Sequence, residues 1–432
     1  MAEHRDIHIN VPVLTRVEGE GALELDVVGG EIERVNLRIF EPPRLFEKFV
    51  EGYERNQVID MVARICGICP VAYQMSAVQA FERLADFTPD PWVTEMRRVM
   101  YCGEWIQSHA LHVHLLAAPD FLGFESAIAM AADYPDAVRR GLELQTLGNE
   151  LIAMFGGRSV HPVGVRVGGF YRAPDLSAVE TMLQRLRTAL PQAEALIEWT
   201  AGLTFPHDDQ SFISVALSNR EEYAINQGRL ISGQGLDIDI CYFDSHFKEI
   251  QSPHSTALHC ELDGRPYLTG PLARVNLNFH QLPKPVRQLL DGCGISFPSH
   301  NMFHSIVARA IELYFAIFEA TRLLEQYQMP AHPYQEVGSI EGNAFGCTEA
   351  PRGILWHRYD VDEEGIVRYA RIVPPTSQNQ GRIEEDIAIS LQQLGLDSSD
   401  DVIRLRAEQV IRNYDPCISC ATHFLKLKVN RK

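Results

Sequence analysis

Two Cys-x-x-Cys pairs near opposite ends of the chain are the residues best suited to chemistry: Cys66 with Cys69, and Cys417 with Cys420. Two cysteines three positions apart can direct both sulfurs to one metal ion. Pro416 fixes its own backbone angle and stiffens the approach to the second pair. We therefore expect both pairs to close on one metal centre, with the rest of the chain holding them together.

Spacing alone leaves a second interpretation open, a structural zinc site or a rubredoxin-type iron site. Structural zinc pairs usually lie close together in sequence and stabilise small modules. Here the pairs are far apart, and a chain of 432 residues with 46% hydrophobic residues can bury a large core without a metal. The separation therefore favours a functional metal centre.

The composition is that of a globular protein with an acidic surface. Lys and Arg total 39 against 57 Asp and Glu, which gives a net charge of −18. This charge argues against nucleic acid or an anionic membrane surface as a partner. The chain has no apolar run long enough for a membrane span, and its first residues, MAEHRDIHIN, lack the apolar core of a secretion signal. We therefore expect a cytoplasmic protein. The five other cysteines are scattered through the sequence, and we expect them to be small core residues.

The elements that must position the cysteines follow from hydrophobic periodicity. Alternating residues from 7 to about 40, interrupted by Gly29-Gly30, indicate an N-terminal β element with a hairpin. Short alternating runs indicate a mixed α/β lobe at about 210–275 and a hairpin at 352–373. Helical periods predict helices at 72–86, 92–117, 134–155, 176–203 with a break at Pro191, 299–328 as the longest and most buried, and 400–412.

These patterns predict a mainly helical α+β protein, with a central bundle of long helices and small peripheral β-sheets and hairpins. The chain has no internal repeat, low-complexity tract or long flexible linker. We therefore expect one domain over residues 1–432.

The residues around both pairs carry a resemblance that extends nearly end to end. An R-V-E-G element precedes Arg-x-Cys-Gly-x-Cys, and the second pair lies in Asp-Pro-Cys-x-x-Cys-x-x-His. Together these motifs resemble the large catalytic subunit of nickel–iron hydrogenases. Further matches in the same order are Thr15-Arg16-Val17-Glu18-Gly19, Arg44-Leu45-Phe46-Glu47, Gly156-Gly157-Arg158 with His161-Pro162, Ala350-Pro351-Arg352-Gly353, and Pro375-Thr376 with Asn379.

The resemblance implies a specific metal centre. The four cysteines would bind nickel, and Cys69 and Cys420 would also bridge to an iron that carries carbon monoxide and cyanide. An open position between the metals would let hydrogen bind and split heterolytically, with the metals as Lewis acid. By resemblance, Cys417 is the first base and passes the proton to Glu18, a carboxyl that we expect to be buried and to have a raised pKa.

The resemblance also implies residues around the diatomic ligands. Arg352 would donate hydrogen bonds to one cyanide, Thr376 could donate to the other, and Pro351 would line the apolar pocket. Without the resemblance, Glu18 would be read as a surface residue and Arg352 as a turn arginine in an ion pair.

A second metal is implied near the C-terminus. Glu47, His423 and the backbone carbonyl of about Ile372 would bind a magnesium or a second iron ion. Carboxylate and carbonyl oxygen suit magnesium, whereas a histidine makes iron equally admissible.

Two positions depart from the family pattern. Tyr73 stands where many members have a histidine, so any hydrogen bond from that position to a cysteine sulfur is absent or comes from a phenol. Ala117 stands where many members have an aspartate near the iron, and Asp120 follows three residues later without an assigned catalytic role. The histidines of the same segment are expected to pack and hydrogen-bond rather than bind metal; they are His109, His112 and His114.

The resemblance finally implies partners. Because the chain has no third cysteine cluster, electrons must leave through a small subunit with iron–sulfur clusters. The motifs look most like the cytoplasmic NAD(P)-linked, sulfhydrogenase-type branch, whose complexes add flavin- and NAD(P)-binding diaphorase subunits. A deazaflavin-reducing hydrogenase, a complex-I-like quinone-site relative and a structural zinc protein remain alternatives.

Residues 424–432 resemble the tail that a maturation endopeptidase removes after nickel-insertion factors have acted, with cleavage after His423.

Overall fold

The computed structural model describes residues 6–423, so the predicted tail lies outside the described residues. The helices are mostly long and lie in the middle of the chain. They are α1 (Phe46–Phe49), α2 (Arg55–Val62), α3 (Pro70–Leu84), α4 (Pro91–Leu111), α5 (Ala118–Leu122), α6 (Ala127–Met130), α7 (Pro135–Gly156), α8 (Leu176–Ala201), α9 (Phe243–His246), α10 (Pro271–Asn278), α11 (Lys284–Gln288), α12 (Ser305–Leu324), α13 (Pro375–Leu394), α14 (Asp400–Tyr414) and α15 (Ile418–Ala421). A π-helical turn, His112–Ala117, joins α4 to α5.

The strands form small antiparallel sheets. They are β1 (Ile7–Val11), β2 (Gly21–Val28), β3 (Glu31–Ile39), β4 (Val165–Arg166), β5 (Gly169–Phe170), β6 (Val215–Ser218), β7 (Arg229–Ser232), β8 (Asp237–Ile238), β9 (Phe247–Gln251), β10 (Leu258–Leu262), β11 (Gly342–Ala350), β12 (Gly353–Val361) and β13 (Val367–Val373). They pair in the orders β1-β2-β3, β4-β5, β6-β7-β8, β10-β9 and β11-β12-β13. Long helices with small sheets confirm the predicted fold class.

The long helices pack around one large apolar core. Helix α4 packs against α7 and α12, and α8 packs against α12. Most side chains of α12 are buried, as expected of a helix surrounded by others. The core includes both cysteine pairs, so the expected metal centre would lie inside this bundle.

Two helix predictions were wrong in detail. The segment 299–328 is not the longest helix, because α12 has 20 residues and α8 has 26. Pro191 does not break α8, although a proline inside a helix costs about 3 kcal/mol. Buried side chains on both sides of Pro191, such as Leu186 and Ala193, belong to the main core, and their burial offsets the lost hydrogen bond.

The alternation pattern predicted two of the hairpins but not strand β11. The N-terminal turn lies at Gly29-Gly30, both with positive φ, and the predicted second hairpin is β12–β13. Strand β11, which pairs with β12 along its length, was missed because Gly346 and the residues around it give no clear alternation of apolar and polar side chains. The β11–β12 turn carries Pro351 and Arg352, and Gly353 follows at φ 136°, where a Cβ would lie 2.6 Å from Thr269.

No helix in residues 6–423 is long and apolar enough to cross a bilayer.

Candidate metal centre

The four cysteines of the two pairs meet at one buried point. Their sulfurs all lie within 4.8 Å of one another. The closest pairs are Cys417 with Cys420 at 2.9 Å, Cys66 with Cys417 at 3.4 Å, and Cys69 with Cys420 at 3.5 Å. Each cysteine is at most 4% exposed. The structure thus brings together the two pairs that the sequence separates.

Arg44 joins the two cysteine segments. Its guanidinium donates hydrogen bonds to the carbonyls of Ile65 and Ser419, one from each segment. Its backbone N–H donates to the carbonyl of Thr422 at 2.6 Å. One side chain therefore fixes the distance between the pairs, a role that the sequence motif does not reveal.

Glu104 of α4 holds the segment behind the first pair, and sequence reasoning missed it. Its carboxyl oxygens accept the N–H groups of Val71 and Ala72, at 2.6 and 3.1 Å, in the first turn of α3. Burial raises the pKa of Glu104. Cys69 is the N-cap of α3, so Glu104 supplies the hydrogen-bond acceptor that this cap lacks.

Asp415 and Arg352 form a buried pair beside the cysteines. Arg352 donates from Nε to the Asp415 carbonyl at 2.7 Å and from Nη2 to its carboxylate at 2.9 Å. Burial lowers the pKa of Arg352, but the charge of Asp415, together with the charges of the cysteine cluster, raises the pKa well above its usual value. Nη1 of Arg352 is buried and has no partner among the described residues. This donor is therefore available to a ligand.

The turn that carries Arg352 is fixed by a second buried arginine that the sequence did not indicate. Arg274 donates to the carbonyls of Ala350 and Pro351, at 2.8 and 3.0 Å. It also pairs with Glu312 at 2.7 Å and Glu349 at 2.9 Å. Burial raises the pKa of Glu312, but the charge and hydrogen bonds of Arg274, together with His109, lower it to about 2.

Glu18 contacts the second cysteine pair directly. Its Oε2 accepts from the thiol of Cys417 at 3.1 Å and from the backbone N–H of Ser419 at 3.0 Å. Its Oε1 accepts from the Ser419 hydroxyl at 2.5 Å, and its carbonyl accepts the N–H of Ile418 at 3.0 Å. In this single chain Glu18 is half-buried, not buried as expected.

Thr376, at the start of α13, accepts the backbone N–H of Cys417 at 2.9 Å through its hydroxyl oxygen. The threonine is 3% exposed. The hydroxyl keeps its own proton as a donor. Thr376 therefore positions Cys417 as well as presenting a donor nearby.

Glu47, Ile372 and His423 also lie together. Nε2 of His423 is 2.7 Å from the Ile372 carbonyl oxygen and 3.6 Å from Oε1 of Glu47. Glu47 accepts the N–H of Ile372 at 2.8 Å. This group joins α1, β13 and the end of the described chain.

Tyr73 is 1% exposed, and its hydroxyl makes no hydrogen bond of ordinary geometry with the described residues. Burial raises the pKa of this phenol well above its usual value, and the charges of Cys420, Cys69 and Cys66 raise it further. The phenol is therefore protonated near pH 7.

Asp120 has a structural role, since its carboxylate accepts hydrogen bonds from Arg16 at 2.5 Å and from Arg412 at 2.7 and 2.9 Å.

The three histidines of the same segment hydrogen-bond away from the cysteine cluster, and burial lowers their pKa values to about 4, 3 and 3; they are His109, His112 and His114. All three are therefore neutral near pH 7.

Comparison with known proteins gives consistent matches. The family model described as nickel-dependent hydrogenase matches residues 44–140 and 251–423. The alpha chain of sulfhydrogenase 1 of Pyrococcus furiosus is 33% identical over 425 residues, which covers 97% of this chain and 98% of that protein. The alpha chain of sulfhydrogenase 2 of the same organism is 30% identical over 421 residues, with 97% and 100% covered.

Among solved structures, an NAD+-reducing nickel–iron hydrogenase in the H2-reduced state superposes with a TM-score of 0.86 at 24% identity. The match covers 96% of this chain and 99% of that chain. At this identity the likeness establishes a shared fold.

Proposed function

The chain belongs to the nickel-dependent hydrogenase family, and we propose that it is the catalytic subunit of a heteromeric complex that passes electrons from H2 to NAD(P). The hydrogenase activity follows from the family. The convergence of the four sulfurs beside Glu18 is the observation that carries the proposal.

The residues present fit a nickel–iron group. Thiolates are soft ligands that suit nickel and iron. Four buried thiolates within 4.8 Å would repel one another strongly without a cation. The spare Nη1 donor of Arg352 suits an acceptor ligand on the iron, such as cyanide.

When bound, the group supplies the Lewis acid at which H2 is split heterolytically. All four cysteines would hold it, and Cys417 would also accept the released proton on Sγ. Oε2 of Glu18, 3.1 Å from that sulfur, takes the proton next. The two hydrogen bonds from Ser419 fix the carboxylate in position for this transfer.

Around this relay, other side chains shape the pocket. Arg352 would donate to one cyanide and Thr376 to the other, while Pro351 would provide an apolar wall. The iron is proposed to carry carbon monoxide as its third diatomic ligand. The ion pair of Arg352 with Asp415 keeps the guanidinium charged in this buried place.

We also propose that Glu47, the Ile372 carbonyl and His423 bind a magnesium ion or a second iron. Such an ion would join the C-terminal segment to β13 and α1 and so support the fold around Cys420. Cleavage after His423 by a maturation endopeptidase, after nickel-insertion factors have acted, would leave this histidine at the end of the mature chain.

The proposed final electron acceptor is NAD(P), which other subunits of the complex would reach. A small iron–sulfur subunit is proposed to receive the electrons, with diaphorase subunits carrying flavin and NAD(P). The likeness to an NAD+-reducing hydrogenase supports this choice. The alpha chain of coenzyme F420 hydrogenase of Methanothermobacter thermautotrophicus, 26% identical to this chain, keeps a deazaflavin acceptor as the second candidate.

The experiment is an infrared spectrum of the purified complex, with nickel, iron and zinc analysis and mass spectrometry of this chain. Carbonyl and cyanide stretches with nickel are expected, and Cys66→Ser should abolish them. Cys293→Ser, a partly exposed cysteine outside the cluster, is the matched control. Zinc without diatomic stretches in a chain that ends at His423 would refute the catalytic proposal.

Assays of H2-dependent reduction of NAD+, NADP+ and F420 by the same complex then decide the acceptor. Reduction of F420 in preference to both nicotinamides would refute the NAD(P)-linked assignment while leaving the hydrogenase function intact.

A further inference from the structure

A second group of metal-ligand side chains lies outside the centre described above. His254 lies in the loop between β9 and β10, His259 lies on β10, and Glu384 lies on α13. Their ligand atoms are all within 4.8 Å of one another. None of the three belongs to the four-cysteine cluster or to the Glu47 group.

Both imidazoles face the same carboxylate, one at each oxygen. Nε2 of His254 is 2.8 Å from Oε1 of Glu384, and Nε2 of His259 is 3.3 Å from Oε2. The two rings are nearly perpendicular, at 83°, with centroids 5.5 Å apart. Three ligand atoms from three segments therefore converge on one point.

The three side chains are mostly shielded from solvent, but each keeps a small exposed fraction. The side chains of His254, His259 and Glu384 are 21%, 9% and 16% exposed. Nδ1 of His259 is buried without a partner among the described residues. The backbone N–H of Leu37 donates to Oε1 of Glu384 at 2.8 Å and fixes the carboxylate, as hydrogen bonds to metal-binding carboxylates commonly do.

We propose that His254, His259 and Glu384 bind one divalent transition-metal ion, with zinc as the preferred occupant. Two imidazole nitrogens and one carboxylate are a common protein ligand set for zinc, and a water completes the tetrahedron. Calcium and magnesium favour all-oxygen sets, so they fit this group less well.

The ion would stabilise a loop that supports the C-terminal cysteine pair. Thr256 of this loop donates to the carbonyl of Ile39 at 2.7 and 2.9 Å. Ala257 packs in a small apolar cluster with Ile418 and Ala421 of α15, the helix that carries Cys420. An ion at His254 and Glu384 therefore links α13 to the loop that packs on α15.

The test uses the mature complex, so that nickel occupies the four cysteines. After dialysis against a chelator, zinc is titrated back with a competing indicator, and bound zinc is counted per copy of this chain. His259→Gln removes a ligand, and Glu384→Gln removes the charge but keeps an acceptor for Leu37. His280→Gln, at an exposed histidine elsewhere, is the matched control.

We expect one tight zinc equivalent in the wild type and in His280→Gln, with a Kd at least about tenfold higher in both ligand variants. Zinc should raise the Tm of the wild type and leave that of Glu384→Gln unchanged. Equal zinc binding in wild type and Glu384→Gln would overturn the proposal and leave a hydrogen-bonded His–Glu–His group. Because the readouts are zinc and Tm, the result is independent of the proposed H2 chemistry.

Discussion

Replacement of Thr376 by valine tests how the protein holds Cys417 in place. The hydroxyl of Thr376 accepts the backbone N–H of Cys417 at 2.9 Å, and both residues are at most 3% exposed. Valine has nearly the same shape but offers no acceptor. The N–H of Cys417 would then be buried without a partner.

An unsatisfied buried N–H costs about 1–3 kcal/mol. If the cost falls on the arrangement that holds the metal, nickel should be bound about 5- to 150-fold more weakly. Thr376→Ser keeps the oxygen and is the matched control, so its nickel affinity should stay near that of the wild type.

The assay is nickel release from the mature complex into a chelator, followed by metal analysis and infrared spectroscopy. Thr376→Val should release nickel faster than both the wild type and Thr376→Ser, with shifted cyanide stretches. Equal release from all three proteins would refute the role of this hydrogen bond in holding the centre.

Three further outcomes follow from carboxylates of the site and of the core. Glu18→Gln should lower H/D exchange about 10²- to 10⁴-fold with unchanged diatomic stretches, whereas Glu20→Gln at the exposed neighbour should not; exchange at the wild-type rate would contradict the proton path. Asp415→Asn leaves Arg352 as an uncompensated buried charge and should lower the free energy of unfolding by about 3–5 kcal/mol, so an unchanged denaturant midpoint would count against it. The pKa of Glu312 is about 2 in the folded chain against 4.5 normally, so its stabilising contribution should be complete above pH 4.5 and fall as the pH drops toward 2. Glu312→Gln should flatten this acid limb of an unfolding profile, and an unaltered limb would refute the assignment.

The convergence of the two cysteine pairs could be predicted from the sequence because the signal of each pair is local. The spacing of Cys66 and Cys69 and the Asp-Pro-Cys motif predict metal ligands, whatever fold surrounds them. Helical periods likewise predicted α3, α7 and α14 to within two residues, and the predicted helix 92–117 covers α4 and the π-helical turn after it, since one apolar face is enough to specify a buried helix. The family resemblance added Glu18, Arg352 and Thr376, whose own sequence neighbourhoods would have suggested surface or turn residues.

Other features depended on contacts between distant segments and could not be read from local pattern. Strand β11 lacks a clear alternation and is recognised through its pairing with β12. The continuation of α8 through Pro191 depends on its packing against α12, and local helix propensity carries no information about that packing.

The sequence by itself determined the types and spacing of the candidate metal ligands and the helical character of the chain. Each of these features depends on residues that are close together in sequence. Tertiary structure alone decided how the two pairs meet: Arg44 joins their segments, Glu104 holds α3, and Arg274 fixes the turn of Arg352. These side chains act across long sequence separations, and a buried charge finds its partner only when folding excludes water from both.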